Sequence, residues 1–134
     1  MLTREDIRHY LLMSGLDLTR CWLTAGGALV FHGLRQATED IDMGCKTSLA
    51  DELESAGHAV ARSEEGHRRF HLAGGIDISE NWAEGTVTVM GGIPVVSLAD
   101  VLALKLQLGR EKDRADIAAI KKTLAESKLR NTCG

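Results

Sequence analysis

Apolar residues recur along this chain at two different spacings, one typical of helices and the other of strands. The first stripe has helical spacing and consists of Ile7, Tyr10, Leu11 and Met13. Thr3 stands before it as an N-cap, Asp6 follows three positions later, and Gly15 comes after its end. These signals predict a helix over residues 4–14.

Beyond residue 20, short segments with strand character alternate with helical ones. Strands are predicted over residues 21–24, 39–45, 58–62, 68–72, 76–80, 86–90 and, after a turn at Gly91-Gly92, 93–96. Helices are predicted from the Gly26-Gly27 turn to about Leu34, over residues 48–56, over about 98–109 and over 113–127. This order predicts an α+β fold in which helices flank a mixed sheet.

The composition is that of an ordinary folded domain. The chain has 134 residues, of which 44% are hydrophobic, and we expect a single domain over residues 1–134. We expect no membrane association, because no apolar run approaches the ~20 residues that span a bilayer and the charged N-terminus does not resemble a signal peptide. The three cysteines are odd in number and form no C-x-x-C pair, which predicts a reduced, cytoplasmic protein.

The net charge of −3 conceals a mildly basic C-terminal segment. Residues 98–134 carry 8 Lys and Arg against 5 Asp and Glu. No aromatic residue is interleaved with these cations. Solvated helix faces are therefore the better interpretation, and the segment does not amount to a nucleic-acid-binding footprint.

The most informative feature is the Gly26-Gly27 turn followed by Asp40, Ile41 and Asp42. In a strand, residues i and i+2 point to the same side, so the two aspartates should project together while Ile41 faces the core. Adjacent carboxylates repel each other unless a cation lies between them, and an oxygen-only pair suits Mg²⁺. Free backbone N–H groups at a glycine turn suit a phosphate. The combination predicts chemistry on a nucleoside triphosphate, and the alternative is a pair of surface carboxylates at a strand end.

The stretch 23–42, with its strand, Gly-Gly turn, helix and Asp-x-Asp, resembles the signature of the DNA-polymerase-β-like nucleotidyltransferase superfamily. It is similar to the AbiEii-type branch, known as abortive-infection and toxin–antitoxin nucleotidyltransferases. Residues 98–117 also resemble that branch, in which an L-x-x-K-L … R-x-K-D-x-x-D-I helix pair closes the core. The resemblance implies a minimal nucleotidyltransferase fold with a mainly antiparallel mixed sheet. Many members add a helical domain that this chain lacks, so we expect an acceptor site that is shallow or completed by a partner chain.

The resemblance assigns catalytic roles to three carboxylates. It implies that Asp40 and Asp42 bind Mg²⁺ and that a carboxylate from a later strand joins them and activates the acceptor hydroxyl. Asp77 is the candidate for this third catalytic and metal-binding position, because its apolar neighbours would face the core and leave it on the cleft side. Glu80 and Glu84 are its rivals.

Two basic residues join the Gly26-Gly27 turn in the predicted nucleotide-binding set. Lys105, in an otherwise apolar helix face, either reaches a β- or γ-phosphate or extends to the surface along its own stem. Arg35 either supports the metal-binding carboxylates or touches phosphate. We expect Asp113 and Asp116 to pair with neighbouring basic residues or to hold Lys105 or Arg35 in place.

These residues and the resemblance predict a nucleotidyltransferase that uses Mg²⁺ to move a nucleoside monophosphate from an NTP to a hydroxyl, with release of pyrophosphate. The expected acceptor is an RNA, a protein or a small molecule, within a toxin–antitoxin or phage-defence system that includes a partner protein. The alternative is a non-catalytic nucleotide-binding module or one subunit of a toxin–antitoxin pair.

Overall fold

The computed structural model describes the backbone of residues 1–133 and the side chains of residues 1–130. The described strands, β1 to β7 in chain order, are Cys21–Leu23, Ile41–Cys45, Val60–Arg62, Arg68–Leu72, Ile76–Glu80, Val87–Met90 and Ile93–Val96. The described α-helices, α1 to α5, are Arg4–Met13, Ala25–Phe31, Thr47–Ser55, Leu98–Leu108 and Arg114–Cys133. None of these helices is both long enough and apolar enough to cross a lipid bilayer.

All the strands of the described chain join in one sheet, in the order β3-β4-β5-β2-β1-β7-β6. β1 pairs with β7, and β2 with β5, in parallel. The remaining four neighbouring pairs are antiparallel. The predicted α+β class and the mixed, mainly antiparallel sheet are therefore confirmed.

Local sequence signals fix the ends of the first two helices. Thr3 and Asp6 form the predicted capping box of α1: the Asp6 N–H donates to the Thr3 hydroxyl at 3.3 Å, and the Thr3 N–H donates to the Asp6 carboxylate at 2.9 Å. α2 ends at Phe31, earlier than the predicted Leu34. The reason is Gly33, whose φ of 80° lies in the left-handed region that stops a helix.

Two predicted boundaries are shifted beside the candidate site. The strand predicted over residues 39–45 begins at Ile41, so Asp40 precedes β2 rather than lying within it. The last helix begins at Arg114 after a 3₁₀ turn over Glu111–Asp113, and it runs beyond the predicted end at residue 127. Both corrections concern segments beside the cleft, where Asp40 and Asp113 line one cavity.

Apolar side chains fill the space between the sheet and its helices. The largest fully buried ones are Phe70, Ile7, Leu11, Leu23, Leu29, Ile41, Met43, Ile76, Ile78, Ile93, Ile120 and Val95. β5 alternates as the sequence predicts: Ile76 and Ile78 are buried, whereas Asp77 and Ser79 are partly exposed on the other face. Burial of one face therefore fixes which face of β5 carries polar chemistry.

Two of the cysteines are structural. Cys21 and Cys45 lie opposite each other on β1 and β2 as free, buried thiols. Burial raises the pKa of Cys21 to about 12 and that of Cys45 to about 11, so both behave as small apolar residues. The side chain of the third, Cys133, lies outside the described residues.

Candidate functional site

Asp42 and Asp77 lie side by side on two interior strands of the sheet. β2 and β5 run parallel, with Asp42 opposite Asp77 in their register. Both side chains are partly exposed, while the adjacent Ile41 and Ile76 are buried on the opposite face. The parallel pairing thus brings together two carboxylates that are far apart in the sequence.

The electrostatic environment of Asp42 disfavours its negative charge. Burial raises the pKa of the Asp42 carboxyl, and the nearby carboxylates of Asp77 and Asp40 raise it further. The more distant cations Arg69 and Arg110 oppose this shift but do not cancel it. A cation bound among these carboxylates would relieve the repulsion, which is the condition expected of a metal site.

Asp77 is held in place by side chains of β4. One carboxylate oxygen contacts His71 Nδ1, and the other lies 3.8 Å from Arg69 Nη2. His71 is also the register partner of Asp77 in the antiparallel β4–β5 pair. Asp77 therefore faces Asp42 on one side and two groups able to carry positive charge on the other.

The two rivals of Asp77 have different surroundings from Asp77 itself. Glu80 shares the opposite face of β5 with the isoleucines and is 8% exposed. Its carboxylate accepts from Arg68 Nη2 at 2.8 Å, and hydrogen bonds from Arg68 lower its pKa to about 2. Glu84 is exposed in the segment that follows β5. Geometry favours Asp77 as the third carboxylate of the cleft.

Arg68 and Glu80 belong to a larger group, which we call the α3 cluster and which consists of Arg68, Glu80, Asp51 and Glu54. Arg68 donates to Asp51 at 2.8 Å and to Glu54 at 3.3 Å, and both acids lie on α3. The cluster fastens α3 to the sheet.

Two cavities meet at Asp42. The larger encloses about 750 Å³ and is lined by Asp77, Ser79 and Trp82 among others. The smaller encloses about 340 Å³ and is lined by Gly26, Arg35 and Asp40 among others. Residues that line both cavities are Ala25, Asp42, Lys105 and Arg110. Asp42 thus lies on the boundary between two chambers, with Asp40 on one side and Asp77 on the other.

A second group of charged residues borders these two chambers. We call it the cleft cluster, and it consists of Lys105, Asp113, Asp116, Arg35 and Arg110. Lys105 is 4% exposed, so its ammonium does not extend to the surface. Its Nζ donates to Asp113 at 2.8 Å and lies 3.3 Å from Asp116. Arg110 Nε donates to the second oxygen of Asp113 at 2.7 Å, and Arg35 Nη2 donates to Asp116 at 2.6 Å. The predicted supporting role of the two aspartates is confirmed.

The charges of the cleft cluster do not balance. Three cations share two carboxylates, and the cations Lys105, Arg35 and Arg110 all line at least one chamber. Burial opposes ionisation of Asp113, but the hydrogen bonds from Lys105 and Arg110 outweigh it and lower its pKa. The surplus positive charge faces the cleft, where it suits an anion such as a phosphate.

The two glycines of the predicted phosphate-binding turn face different surroundings. A Cβ at Gly27 would lie 2.7 Å from Leu23 Cδ1, so this glycine allows α2 to pack closely against β1. A Cβ at Gly26 would lie 2.5 Å from Thr38 Oγ1 and 2.9 Å from Arg35 Nη1, at the wall of the smaller cavity. Both amides are in the first turn of α2, where backbone N–H groups lack intrahelical acceptors. Phosphate binding by the turn stays a prediction, and Gly26 is the better placed of the two.

The donor set fits Mg²⁺ in its chemistry. Asp40, Asp42 and Asp77 offer carboxylate oxygens, the ligands that Mg²⁺ prefers, beside cations suited to phosphates. Among the described side chains, no three His, Cys, Asp or Glu are already gathered close enough to hold a metal ion. In the present arrangement Asp77 is engaged by His71 instead.

Several cleft residues escaped the sequence interpretation. Arg69 and His71 had no signal in the sequence, because only the β4–β5 register places them beside Asp77. Arg110 was considered only as a partner for an acid, yet it lines both chambers. A prediction that β4 pairs with β5 would have placed Arg69 and His71 beside Asp77.

Comparison with models of known protein families returns no match, and comparison with curated proteins returns none either.

Proposed function

We propose that this protein is a nucleotidyltransferase that binds Mg²⁺ and transfers a nucleoside monophosphate from an NTP to a hydroxyl. The observation that supports the proposal most strongly is the position of Asp42. It stands between two chambers, beside Asp77 and Asp40, and opposite the surplus cations of the cleft cluster. A metal–triphosphate complex matches both groups, because its metal ion binds carboxylates and its phosphates bind cations.

In this proposal the triphosphate occupies the smaller chamber. Arg35, Lys105 and Arg110 donate to its oxygens, beside the first turn of α2 at Gly26. Asp40 and Asp42 would hold Mg²⁺, with Asp77 completing the set. When bound, the ion neutralises charge on the phosphates and lowers the pKa of the attacking hydroxyl.

The acceptor occupies the larger chamber, where Asp77 lies. Its hydroxyl oxygen forms a bond to the α-phosphorus, and the bond from that phosphorus to the β-bridging oxygen breaks, so that pyrophosphate leaves. The hydroxyl proton passes to Asp77. Positioning of the two reactants on either side of Asp42 supplies the in-line geometry that the reaction needs.

A non-catalytic nucleotide-binding module is the second candidate. The contact of Asp77 with His71 favours it, because a carboxylate engaged by an imidazole is less available to a metal ion. Under this alternative, Asp40 and Asp42 bind the Mg²⁺–nucleotide complex, and no acceptor is modified.

The melting temperature, Tm, tests nucleotide binding. We expect an NTP to raise Tm much more with Mg²⁺ than with a chelator, because a ligand that binds only the folded state stabilises it. Asp42→Asn should abolish this difference, and Asp51→Asn on α3 should preserve it. An equal Mg²⁺-dependent shift in Asp42→Asn would overturn the assignment.

Radiolabelled NTPs then separate the enzyme from the module. With an α-³²P-labelled NTP and Mg²⁺, the protein should label an acceptor in RNA, protein or small-molecule pools. Asp77→Asn should lose most labelling and retain most NTP binding. Tight Mg²⁺-dependent binding without transfer to any pool would favour the module, and an absence of NTP binding would defeat both functions.

A further inference from the structure

Trp82 is the aromatic residue in the wall of the larger chamber, and the two tryptophans of the chain differ sharply in their surroundings. Trp22 is 4% exposed, and its indole N–H donates to the Trp82 backbone carbonyl at 2.8 Å. Trp82 is partly exposed and lines the same chamber as Asp42 and Asp77. An exposed indole in a cavity wall offers a large flat surface to a ligand.

The backbone around Trp82 is held firmly in a strained conformation. Asn81 and Ala83, on either side, have φ values of 53° and 52°, which residues with a side chain rarely adopt. The Asn81 N–H donates to the Cys45 carbonyl at 2.8 Å, which adds a second anchor to the one from Trp22. These contacts fix the backbone from which the indole projects, and strained backbone that is held in this way is common in binding sites.

Gly44 allows the same segment to cross the sheet. A Cβ at this position would collide with the Trp82 carbonyl oxygen and with Trp22 Nε1. The segment therefore lies directly on β2, two residues beyond Asp42. Because Gly44 has no side chain, the backbone of Trp82 can lie close to the carboxylates of the cleft.

The chamber also supplies positive charge beside the indole. The Arg69 side chain is 61% exposed, and its guanidinium approaches Asp77 only to 3.8 Å, beyond hydrogen-bonding distance. Leu104 and Leu108 of α4 line the chamber as well. An aromatic face, an arginine and apolar side chains in one cavity are the chemistry that binds nucleotides by stacking and charge.

We propose that Trp82 stacks on the base of a nucleotide that carries the acceptor hydroxyl, while Arg69 binds the phosphate of that nucleotide. The term acceptor rests on the function proposed above, whereas nucleotide binding by Trp82 does not. A chamber of about 750 Å³ is large enough for such a ligand. The end of a single-stranded RNA and a free nucleotide share this chemistry, and the experiment distinguishes them.

The first test uses indole fluorescence, with a short single-stranded RNA and a nucleoside monophosphate as separate probes. Stacking should quench the fluorescence of wild-type protein, and Trp82→Phe should lose the quenching. In a matched anisotropy measurement, Trp82→Ala should weaken binding of labelled RNA by about tenfold, and Trp82→Phe by less, because the phenyl ring still stacks. Stronger binding of the RNA than of the monophosphate identifies a polynucleotide end, and the reverse identifies a free nucleotide.

An RNA whose 3′-terminal residue lacks its base provides the control. Wild-type protein and Trp82→Ala should bind this abasic RNA equally, and more weakly than wild-type protein binds the intact RNA. The proposal is overturned if Trp82→Ala binds intact RNA as the wild type does, if the abasic RNA quenches equally, or if a saturating Mg²⁺–NTP complex displaces the probe. Asp42→Asn should keep the quenching, so failure of the nucleotidyltransferase proposal and failure of this one give different results.

Discussion

The α3 cluster and the cleft cluster use the same kinds of side chain on different parts of the molecule. In the α3 cluster, one central cation, Arg68, is surrounded by three carboxylates, and the pKa of Glu80 falls to about 2. In the cleft cluster, three cations share two carboxylates, with Asp113 and Lys105 almost completely buried. Each cluster has a buried centre and partly exposed partners, but carboxylates outnumber cations in the α3 cluster and cations outnumber carboxylates in the cleft cluster.

The difference lies in what surrounds each cluster. The carboxylates of the α3 cluster join a helix to the sheet, and their partners are Arg68 and, for Glu54, also Arg62 at 2.7 Å. The cations of the cleft cluster border two chambers that Asp40, Asp42 and Asp77 also line. Burial raises the pKa of Asp42, and repulsion from Asp77 and Asp40 raises it further. Unpaired charges around a cavity lower the stability of the ligand-free protein. They are useful only when a bound ligand neutralises them. The comparison therefore predicts that the α3 cluster serves stability and that the cleft cluster serves binding.

Glu80→Gln should have the largest effect on stability. The substitution removes the carboxylate that Arg68 contacts on the sheet side and leaves a buried guanidinium partly unpaired. We expect the free energy of unfolding to fall by about 2–3 kcal/mol at neutral pH, measured by urea denaturation. Nucleotide affinity, measured well below the melting temperature of the variant, should be unchanged.

Acid titration sharpens this result. Because the pKa of Glu80 is lowered from 4.5 to about 2 in the folded state, its contribution is complete above about pH 4.5 and disappears as the pH falls towards 2. The difference between wild type and Glu80→Gln should shrink over that window. Glu52→Gln, at a surface pair with Arg20, is the control and should cost under ~1 kcal/mol. A difference that stays constant to pH 2 would contradict this account.

Lys105→Met should cost less stability and more binding. The two carboxylates that contact Lys105 keep other partners in the variant, because Arg110 still donates to Asp113 and Arg35 still donates to Asp116. We expect a loss of about 1–2 kcal/mol in unfolding free energy, together with at least a tenfold loss in NTP affinity measured by calorimetry. Gln107→Met, on an exposed position of the same helix, should affect neither. Unchanged NTP affinity in Lys105→Met would show that the cleft cluster stabilises the fold, as the α3 cluster does, and does not bind the nucleotide.

Asp42→Asn should have the smallest effect on stability, and of the opposite sign. Since the folded pKa of Asp42 is raised, its ionisation costs stability above that pKa, and the amide removes the cost. Without metal or nucleotide, we expect the variant to be more stable by up to about 1 kcal/mol at neutral pH, with the gain vanishing below the ordinary pKa of aspartate. Denaturation in the presence of a chelator measures this gain. A variant less stable than wild type under these conditions would show that Asp42 is a structural carboxylate.

The sequence predicted the elements of this fold better than their partners. The alternation over residues 76–80 located β5 without error, and the Thr3 capping signal located the start of α1. Such signals are local, since they depend on burial of one face or on one hydrogen bond. The end of α2 was misplaced because the stop at Gly33 depends on its positive φ, which the apolar pattern 28–34 does not reveal.

The candidate site could be predicted only where a motif joined its parts. The Asp-x-Asp spacing and the apolar neighbours of Asp77 located the carboxylates that the β2–β5 register brings together. The surroundings of Lys105 were left open between two alternatives, and burial decides against an exposed ammonium. Arg69 and His71 enter the cleft through strand register, which depends on long-range packing rather than on sequence spacing. Trp82 differs, because its place soon after the Asp77 strand already indicates that it borders the cleft.

The order of the strands also has a consequence for how the cleft behaves on heating. β2 and β5 each have a hydrogen-bonded strand on both sides, whereas β3 and β6 are the edges of the sheet. Partial opening begins at edges and hairpins, and interior strands separate last. We therefore expect Asp42 and Asp77 to lie in the part of the molecule that opens last. Loss of the proposed activity on heating is accordingly expected to coincide with melting of the whole domain rather than to precede it.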